Sequence, residues 1–303
     1  MTNTDQLAGS WVAIPTPMNA DGSLYCDGFH PLIDMHAEAG SAALLVGGSA
    51  GEVALLSLDE RREIIRRITA YARGKIRVFY GATCATTADT LELTRHAEDQ
   101  GADGVVLTVP AYSLPTQTAI LDFLVTVAQS TGISVATYNN PSRAGRNINP
   151  ETIAALHREA PNFVADKEAT NDTSQIVNVL DLTGHALPVL ACDNPAYSLF
   201  ATAVGLGNGT ANITGNFEPA RMADISRPLD AQTDLAKWKD EYFHLLPLMK
   251  ACYWLPNPVV IKAGLELMGF TVGAPRKPLQ ELSGERHRQL ETLLRQHSLI
   301  GKR

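Results

Sequence analysis

Cysteine is scarce in this chain and never paired. Cys26, Cys84, Cys192 and Cys252 lie far apart among 303 residues, with no C-x-x-C pattern. That argues against a disulfide framework or a zinc site and for reduced thiols in a cytosolic protein. The eight histidines are scattered without ligand spacing, so no metal site is expected. No basic stripe or block interrupts a formal net charge of −7, which argues against nucleic acid and anionic membrane as partners. No apolar run reaches the length of a membrane span. Residues 1–9 are polar and lack the charged-then-apolar pattern of a signal sequence, so the expected location is cytoplasmic. Lysine is nearly missing before residue 230, where only Lys75 and Lys167 occur among many arginines. What is present is 45% hydrophobic and 19% charged residues, ample for a large core in one α/β unit.

Eight short apolar runs recur along the chain. They fall near residues 11–14, 42–46, 78–81, 104–109, 133–138, 162–169, 188–191 and 209–213. Amphipathic segments near 27–39, from Ser57 onward, and near 87–100, 117–130 and 151–159 separate the earlier runs, and Ser57 with Glu60 reads as a capping box. Strands apolar on both faces, alternating with helices, indicate a parallel sheet covered on both sides. Eight such units close most naturally into a (β/α)8 TIM barrel. The structural alternative is an open doubly wound sheet, but no G-x-G-x-x-G turn follows the first strand. Beyond Pro228 the pattern is helical, near 235–250, 259–268 and 283–297. The expectation is an α/β barrel over 1–227, carrying the active site, with a C-terminal helical extension over 228–303 packed on it.

In such a barrel chemistry gathers where strands end. Lys75 enters a strand and Lys167 leaves one. A lysine held at that rim near apolar walls can lose its proton and attack a carbonyl, forming a Schiff base. The plainer reading is a solvated lysine flanked by Asp166 and Glu168, whose charges keep it protonated. Gly47-Gly48-Ser49-Ala50-Gly51-Glu52 leaves the second strand, and clustered glycines let backbone N–H groups approach a carboxylate. Alone, this is also an ordinary turn. At the end of the fifth strand, Tyr138 can shuttle protons and Arg143 can grip a carboxylate with its fork. The plainer readings are a half-buried strand tyrosine and an arginine in a surface ion pair. The coincidence of lysine, tyrosine, hydroxyl and arginine at strand ends favours the chemical reading.

Taken together these motifs resemble the dihydrodipicolinate synthase / N-acetylneuraminate lyase family of class I, Schiff-base (β/α)8 enzymes. The resemblance runs from Trp11-Val12-Ala13-Ile14-Pro15-Thr16-Pro17 through Gly48-Ser49-Ala50-Gly51-Glu52, Pro110-Ala111-Tyr112, Tyr138-Asn139-Asn140-Pro141 and Lys167-Glu168-Ala169. It ends in Asn257-Pro258-Val259-Val260-Ile261-Lys262 and Met268-Gly269. It implies that Lys167 forms an imine with a 2-oxo acid, typically pyruvate, with Tyr138 as proton shuttle and Ser49 relaying protons to it. It implies that Tyr112 reaches into a neighbouring subunit's site, in a homotetramer built as a dimer of dimers. The loop of Gly48, Ser49 and Ala50 would hold the pyruvyl carboxylate through backbone N–H groups, and Arg143 the carboxylate of an aldehyde co-substrate. Ala211 would lie beside the substrate. No metal or organic cofactor is implied, because the covalent imine on Lys167 carries the chemistry.

Several positions depart from the synthase pattern. Ala50 replaces a threonine, Ala111 stands where many synthases carry a second tyrosine, and Asp166 takes a usually apolar place. Cys192 and Ala211 stand near positions where glycine and isoleucine are usual. The imine chemistry survives these changes, while substrate identity depends on them. The expected activity is that of a dihydrodipicolinate-synthase-like lyase. A 2-keto-3-deoxy sugar-acid dehydratase or aldolase, or a hydroxyproline-pathway imino-acid deaminase, uses the same imine and stays open. So does a barrel that binds a keto acid without turning it over.

Overall fold

The structure, a computed structural model, describes residues 7–194, 198 and 208–301; the polar residues 1–6 lie outside that range. Eight parallel strands form a closed barrel in sequence order. They are β1 (Gly9–Ala13), β2 (Ala43–Val46), β3 (Arg77–Gly81), β4 (Gly104–Leu107), β5 (Ser134–Asn139), β6 (Phe163–Glu168), β7 (Val189–Cys192) and β8 (Gly209–Asn212). Every strand predicted from the sequence is present, with ends shifted by a residue or two.

Alternation along each strand divides the barrel into two cores. Val12, Leu44, Val78, Val105, Val135 and Val189 point outward into one apolar cluster beneath the helices. Trp11, Leu45, Phe79, Val106, Ala136 and Leu190 fill the interior, where the Trp11 and Phe79 rings lie 4.4 Å apart. The interior cluster continues into the C-terminal helices Leu235–Cys252, Val259–Leu267 and Gly284–Gln296 through Leu245, Val260, Leu265 and Leu290. Those helices are the predicted extension. Ser57 caps the helix Leu58–Ala72 in a true capping box, its hydroxyl accepting from the Glu60 N–H at 3.2 Å and its own N–H donating to Glu60 at 2.8 Å.

The extension also clamps the loop after β2. Lys262 and Glu52 form an ion pair at 2.7 Å, with side chains only 1% and 0% exposed. The Arg276 backbone N–H donates to the other Glu52 oxygen at 2.6 Å, while the Arg276 guanidinium holds the carbonyls of Gly22 and Leu55 and the Glu60 carboxylate. Glu52 itself sits at φ +58, an uncommon conformation for a residue with a side chain. Breaking one side of a buried pair leaves an uncompensated charge. Lys262→Met is therefore expected to cost about 3–5 kcal/mol, seen as a lowered thermal midpoint. Adding Glu52→Gln should recover much of the loss; a double variant no more stable than the single would show that the pair is not the cause.

Candidate active site

A cavity of about 750 Å³ opens at the carboxyl ends of the strands. Its lining includes Gly48 and Ser49 from the loop after β2, Tyr138 from β5, Arg143 from the turn beyond it, and Lys167 from β6. Five of the eight predicted site residues thus meet in one place. Tyr138 and Lys167 are register partners on adjacent strands and face the interior together. The Lys167 Nζ lies 4.1 Å from the centroid of the Tyr138 ring.

The plainer reading of Lys167 fails on alternation. Thr137 pairs with Asp166 and Asn139 with Glu168 on the opposite face of the same two strands. The Thr137 hydroxyl donates to Asp166 at 2.7 Å, and the Asn139 amide donates to Glu168 at 2.9 Å. Both acids are wholly buried behind the barrel wall, and Lys167 is only 8% exposed. Among the described residues Lys167 has no ion-pair partner. It is a sequestered amine on the inner wall and not a solvated one between two acids.

The acids carry a cost of their own. Burial, and then the charge of Glu168, raise Asp166 well above the usual carboxylate range, and burial raises Glu168. The second Asp166 oxygen has no hydrogen-bond partner among the described residues. The folded protein thus keeps a proton that the unfolded chain gives up above about pH 4. Stability from this group is full below that value and is lost as pH rises toward the folded pKa. Asp166→Asn is expected to raise the thermal midpoint near neutral pH by about 2 °C or more, with the gain fading as pH falls toward about 4. An equal effect at both ends of the range would contradict a titrating carboxyl.

The Gly-rich loop is shaped by sterics. Gly47 has φ +65, and a Cβ on Gly81 would lie 2.2 Å from the Gly47 carbonyl oxygen, so β3 must be bare there for the loop to pass. The Gly51 and Val53 N–H groups close the loop onto the Gly48 carbonyl, and Glu52 onto that of Ser49. The Ser49 and Ala50 N–H groups take no part in those bonds. Ala50 is fully buried and does not line the cavity. Ala211 pairs with Cys192 in the β7–β8 wall and packs into the interior core, also outside the lining. Burial pushes the Cys192 thiol up to about 12, so it stays neutral there.

Tyr112 stands apart from the rest. It is 98% exposed at φ +74 and does not reach the cavity of its own chain. Arg143 is exposed at the rim, where among the described residues it makes no ion pair, contrary to its plainer reading.

Two residues escaped sequence reasoning. Asn140 caps the turn Pro141–Ala144, its carbonyl oxygen accepting from the Arg143 N–H at 3.2 Å while its amide donates to the Tyr138 hydroxyl at 2.6 Å. One side chain thus orients both the tyrosine and the turn carrying the arginine. An Asn directly before Pro at a helix start was its signal. Arg61 is a buried cation in the cavity wall, donating to the carbonyls of Gly81 (2.8 Å) and Thr83 (3.1 Å) and to the Cys84 sulfur (3.2 Å). Its burial lowers its pKa from the usual arginine value. The signal was an arginine falling in the apolar stripe of Ile64, Ile65 and Ile68.

Comparison with known proteins now decides the family. The sequence model of the dihydrodipicolinate synthetase family matches residues 6–297. The chain belongs to this family. A 4-hydroxy-tetrahydrodipicolinate synthase of Nitratidesulfovibrio vulgaris (strain DP4) is 36% identical over 94% of this chain and 97% of its own length. The crystal structure of dihydrodipicolinate synthase from Aquifex aeolicus superposes with a TM-score of 0.92 at 30% identity, covering 98% of this chain and all of the other. That of Acinetobacter baumannii, complexed with pyruvate, gives 0.90 at 27% identity over 97% of this chain and 100% of the other. As a family member the chain is an enzyme, a lyase of the class I aldolase type.

Proposed function

We propose that this lyase condenses pyruvate with an aldehyde, of which aspartate semialdehyde is the first candidate, through an imine on Lys167. The observation carrying the proposal is the buried Lys167 amine 4.1 Å from the Tyr138 ring in the strand-end cavity. Neutral Nζ attacks C2 of pyruvate, and the carbinolamine loses water to give the imine. The pyruvyl carboxylate rests on the N–H groups of the Gly48-Ser49-Ala50 loop. Loss of a C3 proton gives an enamine, whose C3 attacks the aldehyde carbon. Tyr138, oriented by Asn140 and relayed by Ser49, passes protons between these intermediates. Arg143 at the rim takes the co-substrate's carboxylate in a bidentate grip. Hydrolysis, or attack by the co-substrate's own amine, releases Nζ. No metal or organic cofactor enters these steps.

The test is turnover of pyruvate with aspartate semialdehyde, followed by disappearance of both and appearance of the cyclised product. Turnover supports the synthase reading. An imine with pyruvate but no turnover with this aldehyde would overturn it. Longer 2-oxo acids would then be the substrates to try, because the cavity wall carries the small Ala111 in place of a second tyrosine.

The exposed Tyr112 fits a dimer-of-dimers tetramer in which it completes a neighbour's proton relay, in a cytoplasmic enzyme. No helix among the described residues is long and apolar enough to cross a membrane. Tyr112→Phe is expected to lower kcat by about tenfold to a hundredfold while imine formation stays largely intact. Unchanged kinetics would remove Tyr112 from the relay.

A further inference from the structure

Glu218, His244 and His297 lie outside the cavity lining and have no part in the reaction above. They come from three elements. Glu218 caps the helix Pro219–Ile225, His244 belongs to Leu235–Cys252, and His297 closes Gly284–Gln296. The Glu218 Oε1 lies 3.1 Å from His244 Nε2 and 2.5 Å from His297 Nδ1. All three donor atoms fall within 4.8 Å of one another, and the two rings lie 4.5 Å apart. The Glu218 and His297 side chains are each 7% exposed, whereas His244 is 38% exposed and leaves one side open to solvent. The other Glu218 oxygen is fixed by Arg221 Nε at 2.7 Å, and Arg221 is in turn paired with Glu241. That second contact aims Oε1 at the imidazoles, and Glu241 offsets the arginine's charge.

We infer that Glu218, His244 and His297 form a binding site for a divalent transition-metal ion of the zinc class. Two imidazoles and one carboxylate suit zinc, cobalt or nickel, and not the oxygen-seeking magnesium or calcium. Three protein ligands leave a fourth position for water, reached from the open His244 side. The ion would tie together three helical elements of the C-terminal half. The expectation of no metal rested on spacing along the chain, and the histidines lie 26 and 79 residues from Glu218.

The experiment uses the full chain, stripped with a chelator and titrated with Co²⁺ and Zn²⁺. Visible cobalt bands and calorimetry should show one ion per chain, with Zn²⁺ raising the thermal midpoint. His244→Ala and His297→Ala should each weaken binding by more than about tenfold, with imine formation on Lys167 unchanged. Where His297→Ala fails to fold by circular dichroism, the more exposed His244→Gln provides the same test. No stoichiometric binding by the unaltered protein would overturn the inference. So would binding undiminished in the variants, or an intense thiolate charge-transfer band placing the cobalt on a cysteine.

Discussion

Lys167→Ala lowers kcat/KM by roughly 10⁴-fold or more and abolishes covalent capture of pyruvate, while the protein stays folded. The size follows from the proposed role: without the amine there is no imine, and the residual rate is that of bound but unactivated substrate. Folding should survive because the Lys167 ammonium holds no ion pair among the described residues, so no buried partner is stranded by its removal. The Asp166–Thr137 and Glu168–Asn139 bonds on the far face of β6 do not pass through the lysine side chain. Lys167→Arg is expected to be as inactive, because a guanidinium keeps its proton and cannot act as the nucleophile.

Tyr138→Phe has the second-largest effect. Loss of a positioned proton carrier costs about 10²–10⁴-fold in rate, and the ring that covers Lys167 Nζ at 4.1 Å is kept. The imine should therefore still form, more slowly, while turnover collapses. The Asn140 amide donates to the tyrosine hydroxyl, so a lone pair of that oxygen is engaged while its proton is not used in this bond. In the phenylalanine variant that amide loses its partner, yet Asn140 still caps the turn bearing Arg143 through its carbonyl oxygen. The defect should thus appear mainly in kcat, with KM for the aldehyde nearly unchanged. Equal losses in imine formation and turnover would move Tyr138 from proton transfer to mere packing.

Much of this fold is legible in the chain because each strand is short, apolar on both faces and followed by a helix signal. Strand ends could be placed closely enough to put Lys167, Tyr138, Arg143 and the Gly-rich loop at one rim. The acids flanking Lys167 were legible too: period-two alternation sends the neighbours of an inward lysine outward, and the plainer reading overlooked it. What sequence could not show depends on distant partners. Glu52 is held by Lys262 and by Arg276, the latter 224 residues away, so the clamp on the Gly-rich loop exists only once the C-terminal helices dock. Arg61 hides in an apolar helix stripe because its partners are backbone carbonyls of a strand exit, which carry no sequence signature. Tyr112 reads as part of the site by family resemblance, but one chain alone leaves it in solvent.

The most direct measurement of the central claim is borohydride reduction of the protein with pyruvate, followed by peptide mapping of the mass adduct. The account predicts one reduced pyruvyl adduct per chain, on Lys167, absent from Lys167→Ala and retained in Tyr138→Phe. An adduct on another lysine, or none with pyruvate and none with longer 2-oxo acids, would contradict it.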